Sequence, residues 1–118
     1  MKYPIKVAQY GLGPIGRKII EIASTKRRLQ VVGGVDIDPS IIGKNIGELI
    51  GVGNVQGKIF GNARELFDNE DVDLVYIATS SHLNEVYSQI MECIKFGKNV
   101  IFTKKGEGLR SSPIENRP

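Results

Sequence analysis

Short apolar runs alternate along this chain with stretches whose apolar residues recur at helical spacing. Residues 5–10 are apolar and β-branched and predict a buried strand. Residues 29–36 repeat that character through Val31, Val32 and Val35, and residues 99–103 predict a last strand. Residues 73–79 carry the run Leu74-Val75-Tyr76-Ile77-Ala78, whose near-continuous apolarity suits a strand covered on both faces. Residues 55–60 predict a shorter strand. Between these runs, Ile15, Ile19, Ile22 and Ala23 fall at i, i+4, i+7 and i+8, one face of a helix. Pro14 suits its first turn, where a missing N–H costs nothing. Lys26-Arg27-Arg28 closes it with cations that suit the negative end of the helix dipole. Asn62, with Glu65 three residues on, has the spacing of a capping box and opens a short helix that turns Ala63, Leu66 and Phe67 inward. Leu83, Val86, Tyr87, Ile90, Met91 and Ile94 form the apolar stripe of a longer helix, which Ser80 or Ser81 is expected to cap and Gly97 to end. Cys93 lies near that stripe and reads as a packing residue.

Strand, helix and strand occupy about the first 30 residues of the pattern, the length of a βαβ unit. A crossover of this kind is right-handed and makes its two strands parallel. The repeated alternation predicts an α/β domain with a mostly parallel sheet between two helical layers. Asp38-Pro39 opens a turn, and Gly43, Gly47, Gly51, Gly53, Gly57 and Gly61 space the region beyond it. That region is expected to be a mobile loop, with one helical turn at Ile46, Leu49 and Ile50. It is no phosphate-binding P-loop, because Gly43-Lys44 lacks the preceding glycine and the following Ser or Thr. From Lys104 on, periodicity fails and only Leu109 and Ile114 are substantially apolar. The expected division is a folded domain over residues 1–103 and a polar, flexible tail over 104–118.

Composition narrows the function. The chain has 118 residues, enough for one core without disulfides. Its apolar runs are far short of the ~20 residues that cross a bilayer, and residues 1–4 lack the apolar stretch of a secretion signal. A single cysteine makes neither an internal disulfide nor a metal cluster, which points to a reducing cytoplasm. The formal charge is +3, but residues 104–118 carry +2 of it, so the basic character belongs mostly to the tail. No aromatic residues interleave with basic ones to make a stacking platform, which argues against a nucleic-acid partner.

The candidate chemistry begins at Gly11-Leu12-Gly13-Pro14-Ile15-Gly16, which has the G-x-G-x-x-G spacing of a dinucleotide-binding turn. With 14 glycines in the chain the spacing alone is weak, and its setting decides: a strand before, a helix after, and a second strand ending in an acid. Gly11 permits the turn, Gly13 lets the backbone approach a pyrophosphate, and Gly16 lets helix and strand pack closely. The phosphates then lie on the helix N-terminus. Asp36 follows Gly16 by 20 residues, where a carboxylate accepts hydrogen bonds from the adenosine ribose. It favours NAD over NADP by repelling a 2′-phosphate, a preference the nearby Lys44 softens. Ile37 adjoins it. Ala78, Thr79, Ser80 and Ser81 end a strand and are expected to face the ribose and nicotinamide. His82 and Lys104 are candidate catalytic groups, each with a plain alternative: a solvated first-turn histidine and a tail charge. No second histidine pairs with His82 for a metal, and no G-x-S-x-G elbow surrounds Ser80 or Ser81.

Residues 7–16, Val35-Asp36-Ile37-Asp38-Pro39 and residues 42–49 resemble the N-terminal domain of dihydrodipicolinate-reductase-like enzymes, and within that group the 2,4-diaminopentanoate dehydrogenases. The resemblance continues through Ala78-Thr79-Ser80-Ser81 and Asn99-Val100-Ile101 and covers residues 5–103. It implies a Rossmann-type αβα domain that binds NAD or NADP. It also implies hydride transfer to or from a C=N or C=O carbon of an amino-acid-like substrate, with a further domain supplying substrate and oligomer contacts. Where that group continues Ser-Thr-Cys-Glu-Glu after the last strand, this chain has Phe102-Thr103-Lys104-Lys105-Gly106. The second half also resembles the glucose-fructose oxidoreductase and inositol dehydrogenase family, in which a Glu-Lys-Pro segment carries a catalytic lysine. Lys104 matches that lysine, while Thr103 and Lys105 break the rest of the motif. A non-catalytic module that holds or senses a nucleotide is the alternative reading.

Overall fold

The computed structural model describes residues 2–78, 82–104 and 108–110. Strands β1 (Ile5–Tyr10), β2 (Leu29–Val35), β3 (Lys58–Phe60), β4 (Leu74–Ile77), β5 (Asn99–Lys104) and β6 (Gly108–Arg110) form one sheet in the order β3-β2-β1-β4-β5-β6. The first five are parallel, and β6 is antiparallel to β5. The expected mostly parallel αβα architecture is therefore observed. The short β6 lies within the stretch expected to be an aperiodic tail, where Leu109 pairs with Thr103.

Helices α1 (Pro14–Ser24), α2 (Ile46–Ile50), α3 (Ala63–Asn69) and α4 (Leu83–Lys95) connect the strands. Alternate strand residues feed two separate cores. Val7, Val31 and Ile59 pack with Ile20 and Ala23 of α1 and Ile46 of α2 on one face. Ala8, Val32, Phe60, Val75 and Ile77 pack with Leu66 of α3 and Cys93 of α4 on the other. This is the period of two that sends successive strand side chains to opposite faces.

The inward face of α1 matches the expected one only in part: Ala23 is buried and Ile19 half-buried as the periodicity predicts. Gly16, Ile20 and Ala23 are buried, whereas Ile15 and Ile22 are each 50% exposed. The cause is Gly16: a Cβ there would collide with the Gly11 carbonyl oxygen, so the glycine itself is the contact that brings the helix onto the sheet. Ile20 and Ala23 follow it at i+4 and i+7. The basic run 26–28 lies beyond the helix, which ends at Ser24 with Thr25 as its C-cap.

On α4, Val86 and Cys93 are buried and Ile90 is half-buried, while Leu83, Tyr87, Met91 and Ile94 are exposed. The apolar arc is thus wider than the sheet contact. The N-cap is His82 rather than a serine, and its side chain makes no capping hydrogen bond. Thr79, Ser80 and Ser81 lie outside the described residues. At the other end Gly97 has φ +79°, its N–H donates to the Ile94 carbonyl, and the Lys98 N–H donates to the Cys93 carbonyl. These two bonds make a Schellman stop. Asn62 caps α3 as expected: its side chain accepts from the Glu65 N–H at 2.9 Å and donates to the Glu65 carboxylate at 3.1 Å.

The glycine-spaced segment 40–57 is packed, contrary to the expectation of a mobile loop. Ile41, Ile46 and Val55 are buried in the α1 core, and Asn45 pairs with Lys58 in an antiparallel bridge. Gly47 and Gly57 serve close approach: a Cβ on Gly47 would collide with the Val55 carbonyl, and one on Gly57 would sit 2.8 Å from the Val32 backbone. Among the described residues, no helix is long and apolar enough to cross a membrane.

Candidate functional site

The turn after β1 is built by three constraints. Gly11 has φ +99°, a left-handed conformation that side chains rarely adopt. Its N–H donates to the Val35 carbonyl at 2.8 Å, which ties the turn to the end of β2. Gly13 is the N-cap of α1, with φ −74° and no side chain to occupy the helix N-terminus. The first turn of α1 contains no acidic residue, and Pro14 sits in it. The leading N–H groups of a helix have no intrahelical partner, and with the dipole they form an anion-binding end.

Asp36 stands just beyond β2. Its Oδ2 accepts from the Leu12 N–H at 2.7 Å, and its Oδ1 accepts from the Asp38 N–H at 2.9 Å. One carboxylate therefore fixes the glycine turn against the second strand while keeping further lone pairs for a ligand. Arg17 approaches from α1, where its Nε donates to the Leu12 carbonyl at 2.8 Å. Asp38 is held below its ordinary carboxyl value, first by the Ser40 backbone N–H and the Ser40 hydroxyl, with Arg17 and Lys44 adding weaker attraction. Cations and a second carboxylate thus lie near one another around Asp38.

These pieces surround a cavity of about 550 Å³ at the carboxyl ends of the strands. It lies where β1 is flanked by β2 and β4 and the connecting helices leave on opposite faces, the crevice in which open α/β sheets bind ligands. Gly11 through Gly16, Asp36, Ile37 and Ala78 all line it, so the structure brings together every described residue expected at the cofactor site. A Cβ placed on Gly13 meets nothing within 4 Å, which leaves space for a ligand against the turn. The residues present therefore fit a dinucleotide: a bare helix N-terminus for the pyrophosphate and a carboxylate for the ribose.

His82 is exposed at the head of α4 and does not line the cavity. Lys104 ends β5, one residue beyond the lining residue Thr103. Lys44 is exposed, with its backbone N–H donating to the Ile41 carbonyl and its own carbonyl accepting from Ile59. Among the described residues no group of His, Cys, Asp and Glu could hold a metal ion.

Five lining residues escaped the motif reading: Tyr10, Val35, Glu85, Gln89 and Thr103. Tyr10, Val35 and Thr103 sit at or near strand carboxyl ends, a position that the strand boundaries themselves mark. Glu85 and Gln89 are one helical turn apart on α4, and an i, i+4 polar pair on a helix carries no signal of its own. The Tyr10 hydroxyl is pushed up to about 12, mainly by burial and then by Glu92 and Cys93, so it stays neutral around pH 7.

Comparison with known proteins gives the family and the fold. The family described as "Dihydrodipicolinate reductase, N-terminus" matches residues 5–107. A 4-hydroxy-tetrahydrodipicolinate reductase of Gloeothece citriformis is 31% identical over 98 residues, covering 80% of this chain and 35% of that protein. The chain spans about a third of the length of the curated relatives it matches. Among solved structures, an amine dehydrogenase from Mycobacterium smegmatis is similar over 83% of this chain and 29% of that one, with TM-score 0.75 and 26% identity. GenD2 from gentamicin A biosynthesis, solved in complex with NAD, shares the fold over 86% of this chain and 27% of that one, with TM-score 0.69 and 22% identity. The chain therefore belongs to the family of dihydrodipicolinate reductase N-terminal domains and has the NAD(P)-binding Rossmann fold of that family.

Proposed function

We propose that this domain holds NAD(H) for hydride transfer at a C=N or C=O carbon of an amino-acid-like substrate, in an oxidoreductase of the dihydrodipicolinate reductase or diaminopentanoate dehydrogenase type. The observation that carries the reading is the joint placement of the glycine turn and Asp36 around one cavity, with the Gly13 side of the turn open. The relative named as an amine dehydrogenase and the one named as a tetrahydrodipicolinate reductase support a nitrogen-bearing substrate. When bound, the nicotinamide supplies the hydride chemistry.

The chain's own residues bind and orient. In this reading backbone N–H groups at Gly13, Ile15 and Gly16 meet the pyrophosphate, Pro14 having none to offer. Asp36 accepts from the adenosine ribose with the lone pairs that Leu12 and Asp38 leave over. The same carboxylate opposes a 2′-phosphate, which favours NAD(H); Arg17 and Lys44 reduce the margin without reversing it, since Asp36 is the group fixed at the strand end. Ala78, just beyond β4, and Thr103 of β5 line the cavity, and in this reading they take the nicotinamide side. Thr79, Ser80 and Ser81 are assigned to that side from sequence alone. Residues 1–103 form the cofactor domain in this reading, and the groups that bind and protonate substrate belong to a further domain.

Parallel titrations with NADH and NADPH, followed by cofactor fluorescence, test the proposal. Saturable binding of both with NADH the tighter is expected. Tighter NADPH binding would reverse the assigned preference, and failure of both at millimolar concentration would remove the function.

A further inference from the structure

Beneath the glycine turn the core holds a polar group with no partner. Gln9 of β1 is fully buried, and neither its Nε2 nor its Oε1 makes a hydrogen bond. Its neighbours across the sheet are Gly34 of β2 and Tyr76 of β4. A Cβ on Gly34 would meet the side chains of Leu12 and Ile46, so the wall on that side is apolar. A buried carboxamide without partners destabilises a fold, and an apolar side chain of similar size carries no such penalty. Proteins break this rule at functional sites and offset the loss elsewhere.

The use of Gln9 lies directly above it. A Cβ on Gly16 would collide with the Gly11 carbonyl oxygen and lie 3.1 Å from Gln9 Nε2. An acceptor and a donor therefore stand against the same bare α-carbon, in the first turn of α1. Gly11 is buried at φ +99°, with its N–H already given to Val35. Its carbonyl oxygen accepts no hydrogen bond among the described residues. We propose that Gln9 is a positioning residue for the cofactor, whose Nε2 donates to the Gly11 carbonyl as the turn seats on a pyrophosphate. The inference rests on the dinucleotide reading above. A phosphate is attracted by N–H groups and repelled by a carbonyl oxygen. Holding the Gly11 carbonyl inward leaves the N–H groups of the turn to face the ligand. Gln9 does this without touching the ligand, since it does not line the cavity. The carbonyl and one end of the carboxamide lose their penalty together, and that difference between the two arrangements adds to affinity.

The test uses the intact chain, with Gln9→Met and, as a second apolar replacement, Gln9→Leu. NADH and ADP share the pyrophosphate; NADH is titrated by its fluorescence and ADP by its displacement of NADH. Stability is read from urea unfolding without either ligand. The variants are expected to unfold at higher urea than wild type, yet to bind NADH and ADP each about fivefold more weakly. A residue that serves packing alone does not move stability and affinity in opposite directions. Unchanged affinity in both variants would overturn the positioning role and leave the dinucleotide reading standing. A parallel loss of stability and affinity would do the same, because it assigns Gln9 to packing. Failure of wild type to bind NADH or ADP would overturn both.

Discussion

Replacing Gly16 and Gly13 separately by alanine divides the two jobs of the glycine turn. At Gly16 the new Cβ would collide with the Gly11 carbonyl oxygen, lie 2.9 Å from that carbonyl carbon, and lie 3.1 Å from the buried Gln9 carboxamide nitrogen. The first two are backbone atoms of a residue already at φ +99°, so they give way only if the turn moves. Overpacking of this kind costs about 1–3 kcal/mol, and a backbone obstacle belongs at or above the top of that range. Alanine returns about 1 kcal/mol of helix propensity relative to glycine. The net loss is about 2 kcal/mol, which lowers the melting temperature of a domain this size by roughly 8 °C or more. At Gly13 the backbone is φ −74°, ψ −172°, which alanine adopts freely, and its Cβ meets nothing within 4 Å. Only the N-cap preference of glycine over alanine is lost, about 0.5–1 kcal/mol. Yet that Cβ enters the space assigned to the pyrophosphate, so NADH affinity should fall at least about tenfold, or 1.4 kcal/mol. Urea unfolding and NADH titration of both variants form the assay. Gly16→Ala as stable as wild type would refute the helix contact, and Gly13→Ala with normal NADH affinity would refute the placement of the ligand.

Further outcomes follow from other contacts. Asp36→Ala removes the acceptor for the Leu12 and Asp38 N–H groups and is expected to cost about 1–2 kcal/mol in urea unfolding; it should weaken NADH more than NADPH, and equal loss for both would detach Asp36 from the ribose. Gly97→Ala places a side chain at φ +79° and should destabilise by about 1–2 kcal/mol in the same assay, whereas no change would mean that the α4 stop is not left-handed. Burial holds the Tyr10 hydroxyl and the Cys93 thiol at about 12, above their ordinary values of 10.0 and 9.0. The unfolded chain releases these protons first, so this contribution to stability is whole below pH 9 and is lost as pH rises toward 12. A urea midpoint that stays flat across that alkaline range would contradict the burial of both groups.

Much of the fold was legible because strands and turns announce themselves locally. The β1–α1–β2 unit, the Asn62 cap and the Gly97 stop each rest on a few neighbouring residues whose chemistry has one strong solution. The failures share a different cause. Helical periodicity weighs large apolar side chains, so it chose Ile15 and Ile22 for the inner face of α1. The glycine motif, not the periodicity, was the signal for the close contact at Gly16, and Ala23 was the one member of the periodic face that is buried. Glycine did mislead in segment 40–57, where Gly47 and Gly57 allow close packing and loop mobility was expected. On α4 the pattern found a broad apolar arc but could not say which half meets the sheet, because that choice belongs to the helix's position over β4 and β5. The site was legible where one motif contains it. Glu85 and Gln89 come to the cavity only through the fold, which brings α4 to the carboxyl end of the sheet.

The claim that most needs testing is that a dinucleotide occupies the cavity between the glycine turn and Asp36. Isothermal titration of the intact chain with NADH addresses it most directly. Saturable one-to-one heat, abolished or weakened at least about tenfold by Gly13→Ala, is the predicted result. Heat that neither saturates at millimolar NADH nor responds to Gly13→Ala would contradict it.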